Sequence, residues 1–199
     1  VQTCALPILL SHQRARAAIT GGLFAEEIVP VVIKDRKGDV VFNTDERPMD
    51  TSLEKMGKLR PAFKPDGTVT AGNASGLNDG GSSLILMAAE TAGKMGIKPL
   101  ARVVASAPGS VEPRIMGMGV VPAVRNALQF AGLTQDQIDY WEFNEAFAAQ
   151  VLGVNRELKV PLDRLNAAGS GIALGHPVGA TGARLIITMI NEMKRRGVR

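Results

Sequence analysis

The sequence contains a single cysteine, Cys4, two histidines, one tryptophan and one tyrosine among 199 residues. One cysteine excludes an internal disulfide framework and any metal site built from several thiolates, and two histidines far apart in sequence leave a zinc site almost nothing to use. So little cysteine suits a reducing compartment, and the cytoplasm is the expected location. No stretch approaches the ~18 consecutive apolar residues of a membrane span. The opening also lacks the basic start and long apolar run of a secretory signal. Aromatic residues make up only 4% of the chain, and the basic residues are scattered except for Lys194, Arg195 and Arg196. Without basic and aromatic residues interleaved there is no surface suited to tracking a nucleic-acid strand. The basic triplet reads as a solvated helix end. Nucleic acid, a membrane span and a metal are therefore not expected.

What remains is ordinary globular composition, 45% hydrophobic and 21% charged, with a net charge of +4. The length suits one to two domains at about 100 to 200 residues each. The mild positive balance favours anionic small molecules. Both ends read as interruptions. Residues 1–8 can be back-translated codon for codon into one frame of a common sequencing adapter, so they are expected to be a non-native, adapter-derived segment, and Cys4 with them. The chain stops at Arg199, two residues after Gly197, where a helix should just have ended.

From residue 9 onward, helical and extended patterns alternate. A helix is expected over 11–19, rich in Ala and Arg, then a β-branched strand over 27–33 and a turn at Lys37-Gly38-Asp39. Residues 43–70 are polar and broken by Pro48, Pro61 and Pro65, with helical spacing only over 51–59. A strand at 68–71 enters a Gly- and Asn-containing turn, followed by an apolar helix over 82–95 that Gly96 ends. The rest predicts a strand at 100–107, a helix at 120–131, a strand at 138–143, and helices at 146–158 and 177–196. Strands alternating with helices imply a layered α/β fold with a largely buried sheet.

Two places could carry chemistry. Residues 166–182 hold five glycines, Gly169, Gly171, Gly175, Gly179 and Gly182, around His176-Pro177. Glycines permit close backbone approach and Pro177 suits a first helical turn, so His176 is expected at a rigid loop-to-helix corner beside free amides. A dinucleotide fingerprint misses by one position at Gly169, Gly171 and Gly175, and a nucleophile elbow at Ser170 fails because Ala168 occupies the first glycine position. A histidine that merely caps a tight turn fits the corner as well as a catalytic one. The second place is Asn144-Glu145-Ala146-Phe147, directly after a strand, where open α/β sheets build sites. There Asn144 could equally be a simple N-cap.

Taken together the motifs are more specific. From about Leu9 to Arg199 the chain resembles the thiolase family, enzymes that make or cleave 3-oxoacyl-CoA. The resemblance runs through Ser11-His12-Gln13-Arg14-Ala15, Glu27-Ile28-Val29-Pro30-Val31, Leu59-Arg60-Pro61-Ala62-Phe63, Thr70-Ala71-Gly72-Asn73-Ala74-Ser75-Gly76-Leu77-Asn78-Asp79-Gly80, Met116-Gly117, Asn144-Glu145-Ala146-Phe147 and Gly175-His176-Pro177. It implies a five-layered α-β-α-β-α fold, incomplete here. Residues 9–66 would end a loop domain, 67–99 would be the last strand and helix of the N-terminal domain, and 100–199 most of the C-terminal domain.

Carried over to matching positions, the resemblance makes His176 the base that activates a cysteine nucleophile and helps polarise the thioester carbonyl. Asn144 would hold a water of that oxyanion hole. Ser75 would contact the pantetheine of coenzyme A, with Ala71, Ala74, Met116, Ala146 and Phe147 lining that pocket. Acyl transfer needs such a set: a thiolate, a base that works near neutral pH, and donors aimed at developing negative charge. His12 is expected to be exposed and not catalytic. The family's two cysteines are implied to lie before Leu9 and beyond Arg199, so the chain alone is expected to be inactive. Met118 and Val120 replace the Thr and Pro common in the family's Met-Gly-Thr-Gly-Pro stretch. Acyl length is left open by that change.

Three functions follow as expectations. They are a degradative acetyl-CoA C-acyltransferase of fatty-acid β-oxidation, a biosynthetic acetoacetyl-CoA thiolase, and a non-catalytic acyl-CoA-binding or assembly subunit. No permanently bound cofactor is implied, with CoA and acyl-CoA as ligands and a homodimer or dimer of dimers as the full-length assembly. Apolar surface is expected to lie open unless a partner covers it.

Overall fold

Residues 2–198 are described by a computed structural model, with side chains described from residue 7 onward. The side chain of Cys4, and most of the segment expected to be adapter-derived, lie outside the described side chains. Helix α1, Gln2–Thr20, runs through Pro7 and is longer than its expected 11–19. Its buried face is Ile8, Ser11, His12, Ala15 and Ala18, a three-and-four spacing that makes one stripe. Small Ala15 lets another backbone approach closely: a Cβ on Gly169 would lie 2.5 Å from the Ser11 carbonyl and 3.0 Å from the Ala15 Cβ. With φ at +75°, Gly169 occupies a conformation that other residues rarely adopt.

His12 corrects an expectation. It is 1% exposed, with Nδ1 accepting the Met49 amide at 3.2 Å. Burial, with Arg47 nearby as a smaller contribution, lowers its pKa to about 4, so the ring is neutral near pH 7. The buried stripe of α1 is narrow, and His12 lies on it.

Strands β1, Val31–Ile33, and β2, Val40–Phe42, pair antiparallel around the expected turn, with Val32 opposite Val41. They form the only sheet among the described residues, and all six residues are exposed. The expected buried sheet is therefore absent from the described residues. Helix α2, Leu53–Gly57, is capped by the Ser52 hydroxyl, which accepts the Lys55 amide. The helix expected over 82–95 is reduced to α3, Ala89–Lys94, because residues 82–88 are not helical. A short apolar run fits a strand as readily as a helix. The strand expected over 100–107 has no ladder, since no described segment offers its backbone a partner. Both segments expose apolar side chains, with Ile85 at 87% and Val103 at 68%.

The C-terminal helices match their patterns more closely. Helix α4, Val120–Ala131, has its expected bounds and ends on Gly132 with φ at +66°. Helix α5, Ala148–Leu158, buries Val151, Val154 and Leu158. With Val121, Trp141, Phe143, Val160 and Leu165 they make the largest core cluster. The strand expected over 138–143 survives as a single parallel bridge, Trp141 to Leu165. The short helix α6, Gly171–Leu174, precedes His176, and α7, Thr181–Arg196, ends at Gly197. The wholly buried residues of α7 are Thr181, Thr188, Asn191 and Glu192. Leu185 and Met189 of α7 line a cavity.

Candidate active site

His176 stands half-buried at the corner between α6 and α7, where the glycine-rich loop places it. Gly175, at φ +94°, makes the corner, and a Cβ there would come within 2.3 Å of the Asn78 Oδ1. The loop is fastened to the segment carrying Ser75, because the His176 amide donates to the Gly76 carbonyl at 3.0 Å. The imidazole Nδ1 lies 2.8 Å from the Thr181 hydroxyl, which itself donates to the Pro177 carbonyl at 2.9 Å. Nδ1 is thus engaged by Thr181, and Nε2 has no hydrogen-bond partner among the described residues. Sequence reading missed Thr181; its place five residues after His176, on the first turn of a helix, was the available signal.

The pantetheine candidates come together in part. Ala74 pairs antiparallel with Phe147, the Ser75 amide donates to the Ala146 carbonyl at 2.9 Å, and the Ala148 amide donates to the Asn73 carbonyl at 2.9 Å. Arg47 adds a staple across the same region, donating from Nε to the Ile172 carbonyl at 3.0 Å and from Nη2 to the Ala74 carbonyl at 3.3 Å. An open, mostly apolar cavity of about 920 Å³ lies beside this pairing. Met116, Asn144, Ala146 and Phe147 line it, together with Met118, Val120, Leu185 and Met189. Met116 is 74% exposed. Ala71 is exposed in the turn before Asn73 and does not line the cavity.

Asn144 is half-buried, and its Oδ1 has no hydrogen-bond partner among the described residues. That oxygen faces the Gly171 backbone, 2.5 Å from where a Cβ would sit. Asn144 is not an N-cap: α5 begins at Ala148, and its cap position is Phe147.

Beneath these residues lies a buried charged cluster that the sequence did not announce. Burial pushes the Glu142 carboxyl up to about 7, and it accepts the Tyr140 hydroxyl. Burial also raises Glu145, and it lowers Arg184, the guanidinium that neighbours both carboxyls. Arg184 donates to the Ser170 hydroxyl at 3.3 Å, and Ser170 donates to the Phe143 carbonyl at 2.8 Å. Buried groups of both signs side by side limit the desolvation cost each would bear alone.

Comparison with known proteins agrees along almost the whole chain. The family described as "Thiolase, N-terminal domain" matches residues 7–90, and "Thiolase, C-terminal domain" matches residues 97–199. Acetyl-CoA acetyltransferase of Syntrophomonas wolfei is 52% identical over 189 residues, covering 94% of this chain and 48% of that protein. The crystal structure of the acetyl-CoA acetyltransferase of Bacillus anthracis superposes with a TM-score of 0.95 at 47% identity, covering 99% of this chain and 50% of that one. The human mitochondrial 3-ketoacyl-CoA thiolase superposes with a TM-score of 0.91 at 39% identity, again over half of its own length. The chain thus spans about half the length of the relatives it matches, and its fold is an incomplete version of theirs.

Proposed function

We infer, because the chain belongs to the thiolase family, that the whole protein is an acyltransferase that cleaves 3-oxoacyl-CoA with CoA. The products are acetyl-CoA and a shortened acyl-CoA, formed through a thioester on a cysteine. In this reading the Nε2 of His176 takes the thiol proton and later helps polarise the thioester carbonyl, and Asn144 holds a water of the same oxyanion hole. Ser75 contacts the pantetheine, with Ala71, Ala74, Met116, Ala146 and Phe147 around it.

The observation that carries the reading is the His176–Thr181 contact, which holds the imidazole through Nδ1 at a glycine-built corner and leaves Nε2 without a hydrogen-bond partner among the described residues. The proposed assembly is a homodimer or dimer of dimers, and the proposed location is the cytoplasm. Among the described residues no helix is long and apolar enough to cross a membrane.

A second reading, acetoacetyl-CoA synthesis, is favoured by the name acetyl-CoA acetyltransferase borne by two of the relatives. The two differ in how far the pocket admits an acyl chain, and Met118 and Val120 line the cavity where that would be decided. Thiolysis of acetoacetyl-CoA and of 3-oxooctanoyl-CoA by the whole protein separates them. Broad degradative use predicts kcat/KM values within about tenfold of each other. A pocket closed to long chains predicts a loss of about 100-fold or more for the longer substrate, on the scale that a few misfitted methylenes cost. Cleavage of neither would contradict both. The 199-residue chain alone should turn over neither substrate, since its single cysteine is Cys4 in α1, and turnover by it would overturn that part of the reading.

A further inference from the structure

We propose that Glu145 is a positioning residue that locks the Asn144 turn to the loop carrying His176, with Ser11 of α1 as its second anchor. The proposal rests on the reading of Asn144 and His176 given above. Glu145 is 5% exposed, yet its side chain does not reach the cavity lining. Both carboxylate oxygens are engaged inside the protein. Oε2 accepts the Ser11 hydroxyl at 2.5 Å and the Ile172 amide at 3.4 Å, and Oε1 accepts the Asn166 side-chain amide at 3.2 Å. The Ser11 oxygen in turn accepts the Ser170 amide at 3.2 Å. One carboxylate therefore ties three separate stretches together: the buried stripe of α1, the turn next to Asn144, and the glycine-rich loop just before His176. Its three hydrogen-bond contacts are all donors, the Glu142 carboxyl is a neighbour, and Arg184 supplies the neighbouring positive charge.

Such a site discriminates sharply against glutamine. An amide offers one acceptor where the carboxylate offers two. If its oxygen meets Ser11 and Ile172, its NH2 is set against the Asn166 NH2. If its oxygen meets Asn166, the NH2 is set against the Ile172 amide. Asn166 cannot turn to relieve this, because its side chain already bridges the Phe143 amide at 2.8 Å and the Phe143 carbonyl at 3.0 Å. Ser11→Ala is the milder probe, since it removes one hydroxyl and nothing else.

The test uses the whole protein with Glu145→Gln, Ser11→Ala and the double variant. Three quantities are measured: thiolysis kcat per titrated active site, KM for CoA, and hydrogen exchange at the Ser170 and Ile172 amides. The expected result is a kcat lower by about 10- to 100-fold in Glu145→Gln, the scale of a misplacement near one ångström, with KM within about threefold. In Ser11→Ala kcat falls by a smaller factor. The double variant should be no worse than Glu145→Gln alone, because the two act through one network. Exchange at both amides should speed up by about tenfold or more in either single variant. A residue that only stabilised the fold would lower the titratable fraction and leave kcat per site unchanged, and that result overturns the proposal. Unchanged exchange at Ser170 and Ile172 in Ser11→Ala overturns it as well, even if Glu145→Gln fails to fold. A wild-type protein without thiolysis would instead contradict the functional reading, while the exchange measurement would still decide the positioning role.

Discussion

Replacing His176 by alanine in the whole protein lowers thiolysis kcat/KM by about 10³-fold while CoA affinity changes by less than about threefold. The size follows from losing a positioned general base, which supplies typically 10² to 10⁴-fold. The selectivity follows from where His176 sits. Its backbone amide, not its ring, ties it to the Gly76 carbonyl, so the segment carrying Ser75 keeps its fastening when the ring is removed. Thr181 would still donate to Pro177, and the turn beginning α7 would stay intact. Steady-state kinetics beside equilibrium CoA binding separates the two effects. A matched loss in both would mean that His176 builds the pocket rather than working in it.

Asn166→Ala should cost about 4 kcal/mol of stability, read as a lowered urea midpoint with the slope unchanged. Asn166 completes a ladder that the chain otherwise leaves short. Trp141 and Leu165 form a single parallel bridge, with the Asn166 amide donating to the Trp141 carbonyl at 3.0 Å. One residue further on, the Asn166 side chain takes over, offering its oxygen to the Phe143 amide and its NH2 to the Phe143 carbonyl and to Glu145. A primary amide carries one donor and one acceptor face, like a peptide, so it extends the pairing where no second strand is present. Alanine would leave two buried polar groups short of a partner, the Phe143 amide and the Glu145 Oε1, at about 1 to 3 kcal/mol each before relaxation, while the Phe143 carbonyl keeps the Ser170 hydroxyl. It would also have to adopt φ +49°, which asparagine tolerates far better. A loss under about 1 kcal/mol would show that water or a backbone shift replaces the side chain.

Local signals were read well where a helix carries its own stop and its own face. Helix α4 has Val121, Val124 and Leu128 on one side and Gly132 at its end, and its bounds match the pattern. Strands were read poorly, because a strand is completed by a neighbour and not by its own sequence. Residues 100–107 read as a strand, yet no described segment pairs with them. Residues 82–88 suit the start of a helix as well as an extended segment, because a short apolar run has no period of its own.

The candidate site was legible to a similar degree. Glycines around His176 announced a corner, and Gly169 and Gly175 do occupy positive φ. The supporting groups were not visible. Nothing in Asn144-Glu145-Ala146-Phe147 says that the carboxylate turns inward, and nothing in α1 says that Ser11 will meet it across 134 positions of sequence. His12 was misplaced for the same reason: which stripe of an Arg-bearing helix is buried depends on what packs against it.

The whole protein is expected to work through an acyl-cysteine that His176 helps to form. Intact-mass and peptide mass spectrometry after a brief incubation with acetyl-CoA measures this directly. One acetyl group per protomer is expected on a cysteine, removed by added CoA and greatly slowed in forming by His176→Ala. Binding of acetyl-CoA with no covalent acetyl group on any cysteine would contradict it and leave a binding role as the better explanation of the same fold.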